Sequence, residues 1–233
     1  MPDYTLYYWP IPFRGQFVRA LLAHVHATWD EADTEEIAQL MKRPLADQPV
    51  PHMGPPVLTD HSNGLSLSQT ESILSYLGHK HGLMPDDPAH DALTHKLVAD
   101  ANDILYEMTL HNGARMWTQQ TWDAYRPRLG RWMEIFEETG RRHGLTAEAG
   151  YVLGTDEPGL ADLTTYVLWG TMTDKLRALG PMLEETAPAI AGLSRRMAAR
   201  PEQAALRGDS DEMYGDEWCS GQIEASLRAV LRG

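Results

Sequence analysis

Two short stretches hold the residues best suited to chemistry, one near the start of the chain and one about sixty residues later. Tyr8 and Trp9 offer a phenol hydroxyl and an indole N–H side by side. Gln69 and Thr70 stand where a helix is predicted to begin, so free backbone amides and the positive end of the helix dipole would favour a carboxylate or a phosphate. A helix start that binds nothing is the alternative interpretation of the second stretch, and it stays open.

The chain around Gln69 is predicted to form a hairpin followed by a helix. Asn63-Gly64 lies between two short apolar runs and predicts a tight turn between paired strands, because both residues tolerate positive φ. Ser68 and Glu71 have the spacing of a capping box, in which each side chain reaches an unpaired backbone amide. We therefore expect a helix to begin near Gln69.

This second stretch resembles the end of the glutathione-binding domain of the cytosolic glutathione transferases. In that family a cis-proline precedes a strand, and a Gln-Ser or Glu-Ser pair opens the next helix. The resemblance implies that Pro56 is the cis-proline and that the backbone of Pro55 contacts the cysteinyl part of glutathione. It implies that Gln69 and Thr70 hold the γ-glutamyl end, with Thr70 in place of the usual serine.

The first stretch is similar to the tyrosine-type members of the same family, and the chain is identified as a bacterial-like member of that type. In these members Tyr-Trp or Tyr-Phe precedes an Arg-Gly pair, which here is Arg14-Gly15. The resemblance implies that the Tyr8 hydroxyl stabilises the thiolate of glutathione, which is the nucleophile. It also implies a contact from the Trp9 indole to the glycyl part of glutathione and from Lys42 to its carboxylate.

Tyr7 is the alternative to Tyr8, since neighbouring residues of a strand point to opposite faces of the sheet. Pro12-Phe13 lengthens the loop after Tyr8 by two residues relative to the common pattern, which could move the hydroxyl. Paired tyrosines in a strand are also ordinary packing residues. The first sixty residues contain neither serine nor cysteine, so the mechanisms that use those side chains in this loop are not expected.

The order of predicted elements gives the fold class. Strand, helix, strand, helix, hairpin and helix within the first eighty residues is a thioredoxin-like order, a name that rests on the order together with the resemblance. Helical periodicity replaces strand signals in the remainder of the chain. We predict the glutathione transferase fold, α/β plus all-α. A thioredoxin-like glutathione-binding domain spans 1–82, and an all-helical domain with the second-substrate pocket spans 89–233.

Further site residues are expected on the first long helix of the second half. Asp103 is near the position from which a partner subunit's aspartate contacts the glutathione amine in several classes of the family. Met108, His111 and Arg115 share a predicted helical face and are candidates for the second-substrate pocket. Core packing is the alternative for Met108.

Composition excludes several other classes of protein. The chain has 33 acidic and 20 basic residues, and its net charge of −13 argues against nucleic acid or a membrane surface as a partner. Cys219 is the sole cysteine, which excludes an internal disulfide and favours a reducing compartment. The histidine pairs lack the spacing of a metal site. No leader and no apolar run of ~20 residues is evident, so a cytoplasmic protein is expected.

The resemblance implies a glutathione transferase that conjugates the glutathione thiolate to hydrophobic electrophiles, as in detoxification. Glutathione is the expected co-substrate, no prosthetic group is expected, and the family implies a homodimer. Isomerase or peroxidase use of the same thiol stays open. The alternative function is that of a non-catalytic glutathione-transferase-like binding or interaction protein.

Overall fold

The computed structural model describes residues 1–232 and contains one mixed four-stranded sheet. The strands follow the order β2-β1-β3-β4 across the sheet. β1 and β2 are parallel, whereas β3 runs antiparallel to both β1 and β4. The strands are β1 Tyr4–Tyr7, β2 Trp29–Glu31, β3 Val57–Asp60 and β4 Leu65–Ser68.

The register of the strands brings three chain segments together. Tyr7 pairs with Val57, and Val57 pairs with Ser68. β1 therefore ends where β3 begins and where β4 ends, so the residues after Tyr7, before Val57 and after Ser68 all leave the sheet at one end. The predicted hairpin between β3 and β4 is confirmed, and Gly64 in its turn has a φ of +73°.

Three helices accompany the sheet and complete the predicted thioredoxin-like order. They are α1 Phe13–His24, α2 Thr34–Lys42 and α3 Thr70–Lys80. α1 and α3 pack against each other. Apolar residues at helical spacing bury the inner face of each helix, and on α3 these are Ile73, Leu74 and Leu77.

The predicted capping box of Ser68 and Glu71 is wrong. Ser68 is the last residue of β4, where its pairing with Val57 holds it, and α3 begins only at Thr70. The residue between them, Gln69, has a φ of 74° and makes no side-chain cap hydrogen bond. The sheet register therefore decides where this helix starts, and the local spacing does not.

From Pro88 to residue 232 all regular elements are helical, which confirms the predicted fold class. A π-helical segment, Tyr166–Thr171, joins the helices Leu160–Thr165 and Met172–Lys175 into one continuous helix, in which residues 160–169 are buried. The helices are α4 Pro88–Met108, α5 Leu110–Gly113, α6 Gln119–Arg142, α7 Leu160–Thr165, α8 Met172–Lys175, α9 Gly180–Thr186, α10 Pro188–Ala198, α11 Pro201–Tyr214 and α12 Gly221–Leu231.

The predicted domain limits, 1–82 and 89–233, stay a prediction, and Gly233 lies outside the described residues. The sheet-bearing part and the helical part share contacts, because α3 packs on α4 and α1 packs on both α7 and α11. Every residue of α7 is buried. The core therefore extends from the sheet helices into the helical half.

Two negative observations apply to the described part of the chain. No helix within residues 1–232 combines the length and hydrophobicity that a membrane span requires. The same residues contain no group of three or more His, Cys, Asp or Glu side chains arranged to hold a metal ion.

Candidate functional site

A cavity of about 510 Å³ opens at the end of the sheet where the three segments meet. Its walls come from the loop after β1, the loop before β3, the start of α3, the last turns of α4 and the segment before α12. The residues that line it are Tyr8, Trp9, Ile11, Phe13, Arg14, Met53, Gly54, Pro55, Pro56, Gln69, Thr70, Asn102, Tyr106, Thr109, Asn112, Cys219 and Ile223.

Tyr8 is a buried phenol whose oxygen already accepts one hydrogen bond. Its side chain is 4% exposed, and its hydroxyl oxygen accepts the backbone N–H of Arg14 at 3.1 Å. Burial raises the pKa of Tyr8 to about 12, against the opposing effect of the Arg14 charge. The phenol therefore keeps its proton at neutral pH, and that proton remains to be donated to another acceptor.

The Tyr8 ring is held by close contacts with α1. A Cβ atom on Gly15 would lie 2.3 Å from Cδ1 of the Tyr8 ring and 2.7 Å from its Cγ. Only glycine permits this approach. The guanidinium carbon of Arg19 lies 5.7 Å from the centre of the same ring, and Arg19 pairs with Glu31 at 2.8 Å. These contacts fix the position of the hydroxyl relative to the cavity.

Arg14 supplies positive charge to the cavity wall. Its Nε donates to Oδ1 of Asn102 at 3.2 Å, and within residues 1–232 it forms no ion pair. Burial lowers the pKa of the Arg14 guanidinium, which nevertheless stays cationic at neutral pH because its ordinary pKa lies above 12. A cation without a carboxylate partner makes the cavity complementary to an anion.

Another part of the cavity wall contains backbone in unusual conformations. The Pro55-Pro56 peptide bond is cis, as predicted from the sequence. Gln69 has a φ of 74°, a backbone conformation that residues other than glycine rarely adopt. A non-glycine residue with positive φ, such as Gln69, is often found at a ligand site, where the surrounding fold holds it in that conformation. Since Gln69 caps no amide of α3, its side chain is free to contact a ligand together with Thr70.

The structure brings five of the predicted site residues together and leaves two apart. Tyr8, Trp9, Pro55, Gln69 and Thr70 all line the cavity. Two predicted residues, Lys42 at the end of α2 and Asp103 on α4, are exposed and do not line it. The alternative phenol, Tyr7, pairs with Val57 within the sheet and does not line it either.

The prediction that Met108, His111 and Arg115 share one helical face is wrong. α4 ends at Met108, and His111 has a left-handed φ of 63°, so helical spacing does not continue. Met108 is fully buried in the core. The cavity is lined by Asn102 and Tyr106 of α4 and by Thr109, the residue that caps its C-terminus. Their separations of four and three residues are a helical stripe that the sequence could have revealed.

The end of the chain forms a further wall that sequence reasoning missed. Cys219 and Ile223 line the cavity, although more than 200 residues separate them from Tyr8. The backbone N–H of Phe13 donates to the carbonyl oxygen of Trp218 at 3.1 Å, and the two rings meet edge to face at 5.1 Å. Phe13, the first residue of α1, therefore holds the chain end against the cavity.

The carboxylate of Glu224 binds the backbone of the segment before α12. Oε2 of Glu224 accepts the backbone N–H groups of Trp218 at 2.9 Å, Cys219 at 2.7 Å and Ser220 at 2.5 Å. Oε1 of Glu224 accepts from Nε of Arg228 at 2.7 Å. Burial raises the pKa of the Cys219 thiol, so the sulfur is uncharged at neutral pH.

Comparison with solved structures shows the same fold in glutathione transferases. The Pi-class glutathione S-transferase of Onchocerca volvulus superposes with a TM-score of 0.71 at 17% identity, covering 90% of this chain and 94% of that one. NaGST-2 gives 0.66 at 19% identity, over 89% and 97% of the two chains. Prostaglandin synthase D of Nilaparvata lugens gives 0.66 at 18% identity, over 89% and 98%.

Comparison of sequences gives the family. No curated protein matches the chain significantly. A family model described as "Glutathione S-transferase, C-terminal domain" matches residues 93–230, which is more than half of the chain. The chain therefore belongs to the glutathione S-transferase family.

Proposed function

We propose that the protein is a tyrosine-type glutathione transferase, in which the Tyr8 hydroxyl stabilises the thiolate of bound glutathione. The observation that carries the proposal is the hydrogen bond from the Arg14 amide to the Tyr8 oxygen at 3.1 Å, because it leaves the phenol proton for an acceptor in the cavity. A thiolate is such an acceptor, and a hydrogen bond to the charged form lowers the pKa of the thiol.

The reaction follows from the thiolate. The thiol proton is lost to solvent, the sulfur attacks an electrophilic carbon to form a C–S bond, and the leaving group departs with the electron pair of its bond. Tyr8 keeps its own proton throughout, since its pKa of about 12 lies far above neutral pH. Glutathione is a co-substrate in this scheme, and no prosthetic group takes part.

The remaining walls would hold the ends of glutathione. Gln69 and Thr70 at the start of α3 offer a side-chain amide, a hydroxyl and backbone donors for the γ-glutamyl carboxylate. Arg14 offsets the negative charge of the ligand. The Trp9 indole is proposed to contact the glycyl part, with the exposed Lys42 outside the cavity wall as a longer-range cation for its carboxylate.

The second substrate would meet a mixed surface from both halves. Tyr106, Ile223 and the uncharged sulfur of Cys219 offer apolar area for a hydrophobic electrophile. Family membership supports a homodimer, in which Asp103 of the partner subunit would reach the glutathione amine. A cytoplasmic location, a role in detoxification and the bacterial-like subclass belong to the same proposal.

Tyr8→Phe tests the proposal, with Tyr7→Phe as the matched control. Glutathione binding is measured by calorimetry, and turnover is measured with an activated aryl halide, 1-chloro-2,4-dinitrobenzene. Loss of one hydrogen bond to a charged sulfur should lower kcat/KM by about 10- to 100-fold. The apparent thiol pKa in the pH profile should rise toward that of a free thiol, about 8.5. Tyr7→Phe should leave both quantities unchanged.

Each part of the proposal can fail separately. If the wild-type protein does not bind glutathione, the glutathione function is wrong. If it binds glutathione but turns over no member of a panel of electrophiles, the non-catalytic alternative replaces the enzyme. If turnover and thiol pKa are the same in Tyr8→Phe as in the wild type, the role of Tyr8 is wrong while the family function stands.

A further inference from the structure

The wall of the proposed glutathione cavity differs in charge from the chain as a whole. The chain has a net charge of −13, yet the described residues that line this cavity include no aspartate and no glutamate. Arg14 is the one charged side chain among them. A cleft lined by one sign of charge concentrates ligands of the opposite sign. The cavity therefore favours an anion, although the net charge of the protein repels anions.

Arg14 has two nitrogen atoms that a ligand can reach. Its Nε donates to Oδ1 of Asn102 at 3.2 Å, whereas Nη1 and Nη2 donate to no group within residues 1–232. Neither atom belongs to the fully buried, unpartnered polar atoms of that part of the chain, and Arg14 is only partly buried. The N–H groups of these two atoms are therefore accessible from the cavity.

The guanidinium lies on the side of the cavity that the second substrate would occupy. Its carbon is 4.8 Å from the centre of the Phe13 ring, and its Nε contacts Asn102 of α4. Burial raises the pKa of the Cys219 thiol, and the charge of the nearby Arg14 opposes that rise. Arg14 thus stands between the α4 surface and the segment before α12.

Glutathione, as placed under the proposed function, leaves the Nη groups of Arg14 unused. Its γ-glutamyl carboxylate would be held by Gln69 and Thr70, its glycyl part would face Trp9, and its thiolate would accept from Tyr8. A partly buried cation is costly unless an anion or a hydrogen-bond acceptor compensates it. The remaining molecule that can supply this acceptor is the second substrate.

Two side-chain amides extend the donor surface beside Arg14. Asn102 and Asn112 are exposed and line the cavity, and their NH₂ groups donate to no described residue. Asn112 follows Leu110 and His111 in a left-handed turn with φ values of 43°, 63° and 56°. Non-glycine residues in this conformation carry strain that the surrounding fold must hold. The turn places the Asn112 amide in the cavity lining.

We propose that the second substrate is an electrophile that carries a carboxylate, bound by the Nη groups of Arg14. The planar guanidinium matches the two oxygens of a carboxylate, and the Asn102 or Asn112 amide would donate to a remaining lone pair. The apolar part of the molecule would pack against Tyr106 and Ile223. The proposal rests on the glutathione transferase function proposed above and names the class of its second substrate.

Two aryl halides of one shape test this substrate class. 4-Fluoro-3-nitrobenzoate and 4-fluoro-3-nitrobenzamide share ring and leaving group, and only the benzoate is an anion at neutral pH. In both, the glutathione sulfur bonds to the ring carbon that carries fluorine, and fluoride leaves with the electron pair of the C–F bond. Each kcat/KM is divided by the rate constant of the uncatalysed reaction with glutathione. This rate enhancement should be about 10- to 100-fold larger for the benzoate. Added salt should reduce the preference.

Variants then locate the carboxylate. Arg14→Gln should reduce the preference for the benzoate at least about tenfold. Both probes react with the same bound glutathione, so the ratio of their enhancements cancels any effect of Arg14 on glutathione itself. Asn102→Asp gives Arg14 a carboxylate partner and should reduce the preference about three- to tenfold. Arg115→Gln is the matched control, because Arg115 is an exposed cation that does not line the cavity, and it should leave the preference unchanged.

The outcomes separate this proposal from the proposed function. Equal enhancement of the two probes by the wild type, or an unchanged preference in Arg14→Gln, would show that Arg14 binds no substrate carboxylate, while the transferase function stands. If neither probe nor 1-chloro-2,4-dinitrobenzene is turned over, the transferase function is wrong and the substrate class falls with it. Thermal unfolding checks that each variant is folded. If Arg14→Gln does not fold, a preference that is unchanged in Asn102→Asp overturns the proposal.

Discussion

The proposed glutathione cavity has two walls that are held in different ways. The N-terminal wall, from Tyr8 to Arg14, is fixed by contacts between residues close in sequence, such as the Arg14 amide with the Tyr8 oxygen and Gly15 with the Tyr8 ring. The C-terminal wall, Cys219 to Ile223, is held by the Glu224 carboxylate, which accepts the backbone N–H of Cys219 and of its two neighbours. Its docking on the rest of the protein uses Phe13.

We expect the two walls to have different roles in the site. The N-terminal wall would set the position of the thiol, and a displacement there should affect every electrophile equally. The C-terminal wall would shape the space for the second substrate, and a displacement there should act mainly on its KM. Substitutions that disturb one wall at a time can test whether the two tasks are separate.

Gly15→Ala should have the largest effect, through the N-terminal wall. The new Cβ atom would lie 2.3 Å from the Tyr8 ring, which is buried and cannot move aside freely. A displacement of about 1 Å at a reacting group can cost on the order of 100-fold in rate. We expect kcat/KM to fall by about that factor for all electrophiles, and the free energy of unfolding to fall by about 1 to 3 kcal/mol.

Gly208→Ala in α11 is the matched control for this glycine. Nothing lies within 4 Å of a Cβ atom at Gly208, so the substitution should leave activity unchanged and slightly stabilise the helix. Steady-state kinetics and urea unfolding of both variants provide the comparison. A Gly15→Ala protein with wild-type turnover would show that the Tyr8 ring position is not important for activity.

Glu224→Gln should have a smaller and more selective effect, through the C-terminal wall. The amide has one oxygen, so its NH₂ group must face either the three backbone N–H groups or Arg228, all of which are donors. We expect the free energy of unfolding to fall by about 2 kcal/mol. KM for the electrophile should rise several-fold, while KM for glutathione changes little.

Glu212→Gln removes a charge from an exposed position of α11 and is the control for Glu224→Gln. It should change neither stability nor KM, because exposed charges contribute little. Separate titrations of glutathione and electrophile give the two KM values. An equal rise in KM for glutathione and KM for the electrophile would mean that the two walls do not act independently.

The part of the cavity wall that comes from the first eighty residues could be predicted from sequence because its determinants are local. The Asn63-Gly64 turn, the cis-proline candidate at Pro56 and the Tyr8-Trp9 pair each lie within a few residues of the structure they specify. The helix start near Gln69 was predicted correctly, whereas the capping box of Ser68 and Glu71 was wrong for a physical reason. Pairing of Ser68 with Val57 keeps Ser68 in the strand, and that contact spans eleven positions of the sequence.

The C-terminal wall could not be predicted in the same way, because it depends on contacts across nearly the whole chain. No local pattern indicates that Trp218 will meet Phe13, or that Glu224 will bond to three amides before its own helix. The hydrophobic pattern of residues 160–179 does not predict the π-helical segment either, because the central residues of that segment are all apolar or small. By contrast, the spacing of Asn102, Tyr106 and Thr109 was available and would have identified the α4 surface.

Changes at Cys219 should have the smallest effect on activity. This residue belongs to the C-terminal wall and is the sole cysteine of the chain, so its reactivity can be measured separately. Burial raises the pKa of its thiol, so the thiolate that reacts with alkylating agents is scarcer than in a free cysteine at the same pH. Iodoacetamide at pH 8 should therefore modify the native protein at least about tenfold more slowly than the urea-unfolded chain. Mass spectrometry measures both rates.

Cys219→Ala should then change kcat/KM by no more than about twofold, because an uncharged sulfur contributes only packing area to the cavity. The change should appear in KM for the electrophile and leave the pH profile of kcat unaltered, since the proposed function assigns the titration in that profile to the glutathione thiol. A shifted pH profile in Cys219→Ala, or fast alkylation of the native protein, would mean that Cys219 is ionised beside Tyr8. The C-terminal wall would then take part in the chemistry of the thiol, and the separation of the two walls would not hold.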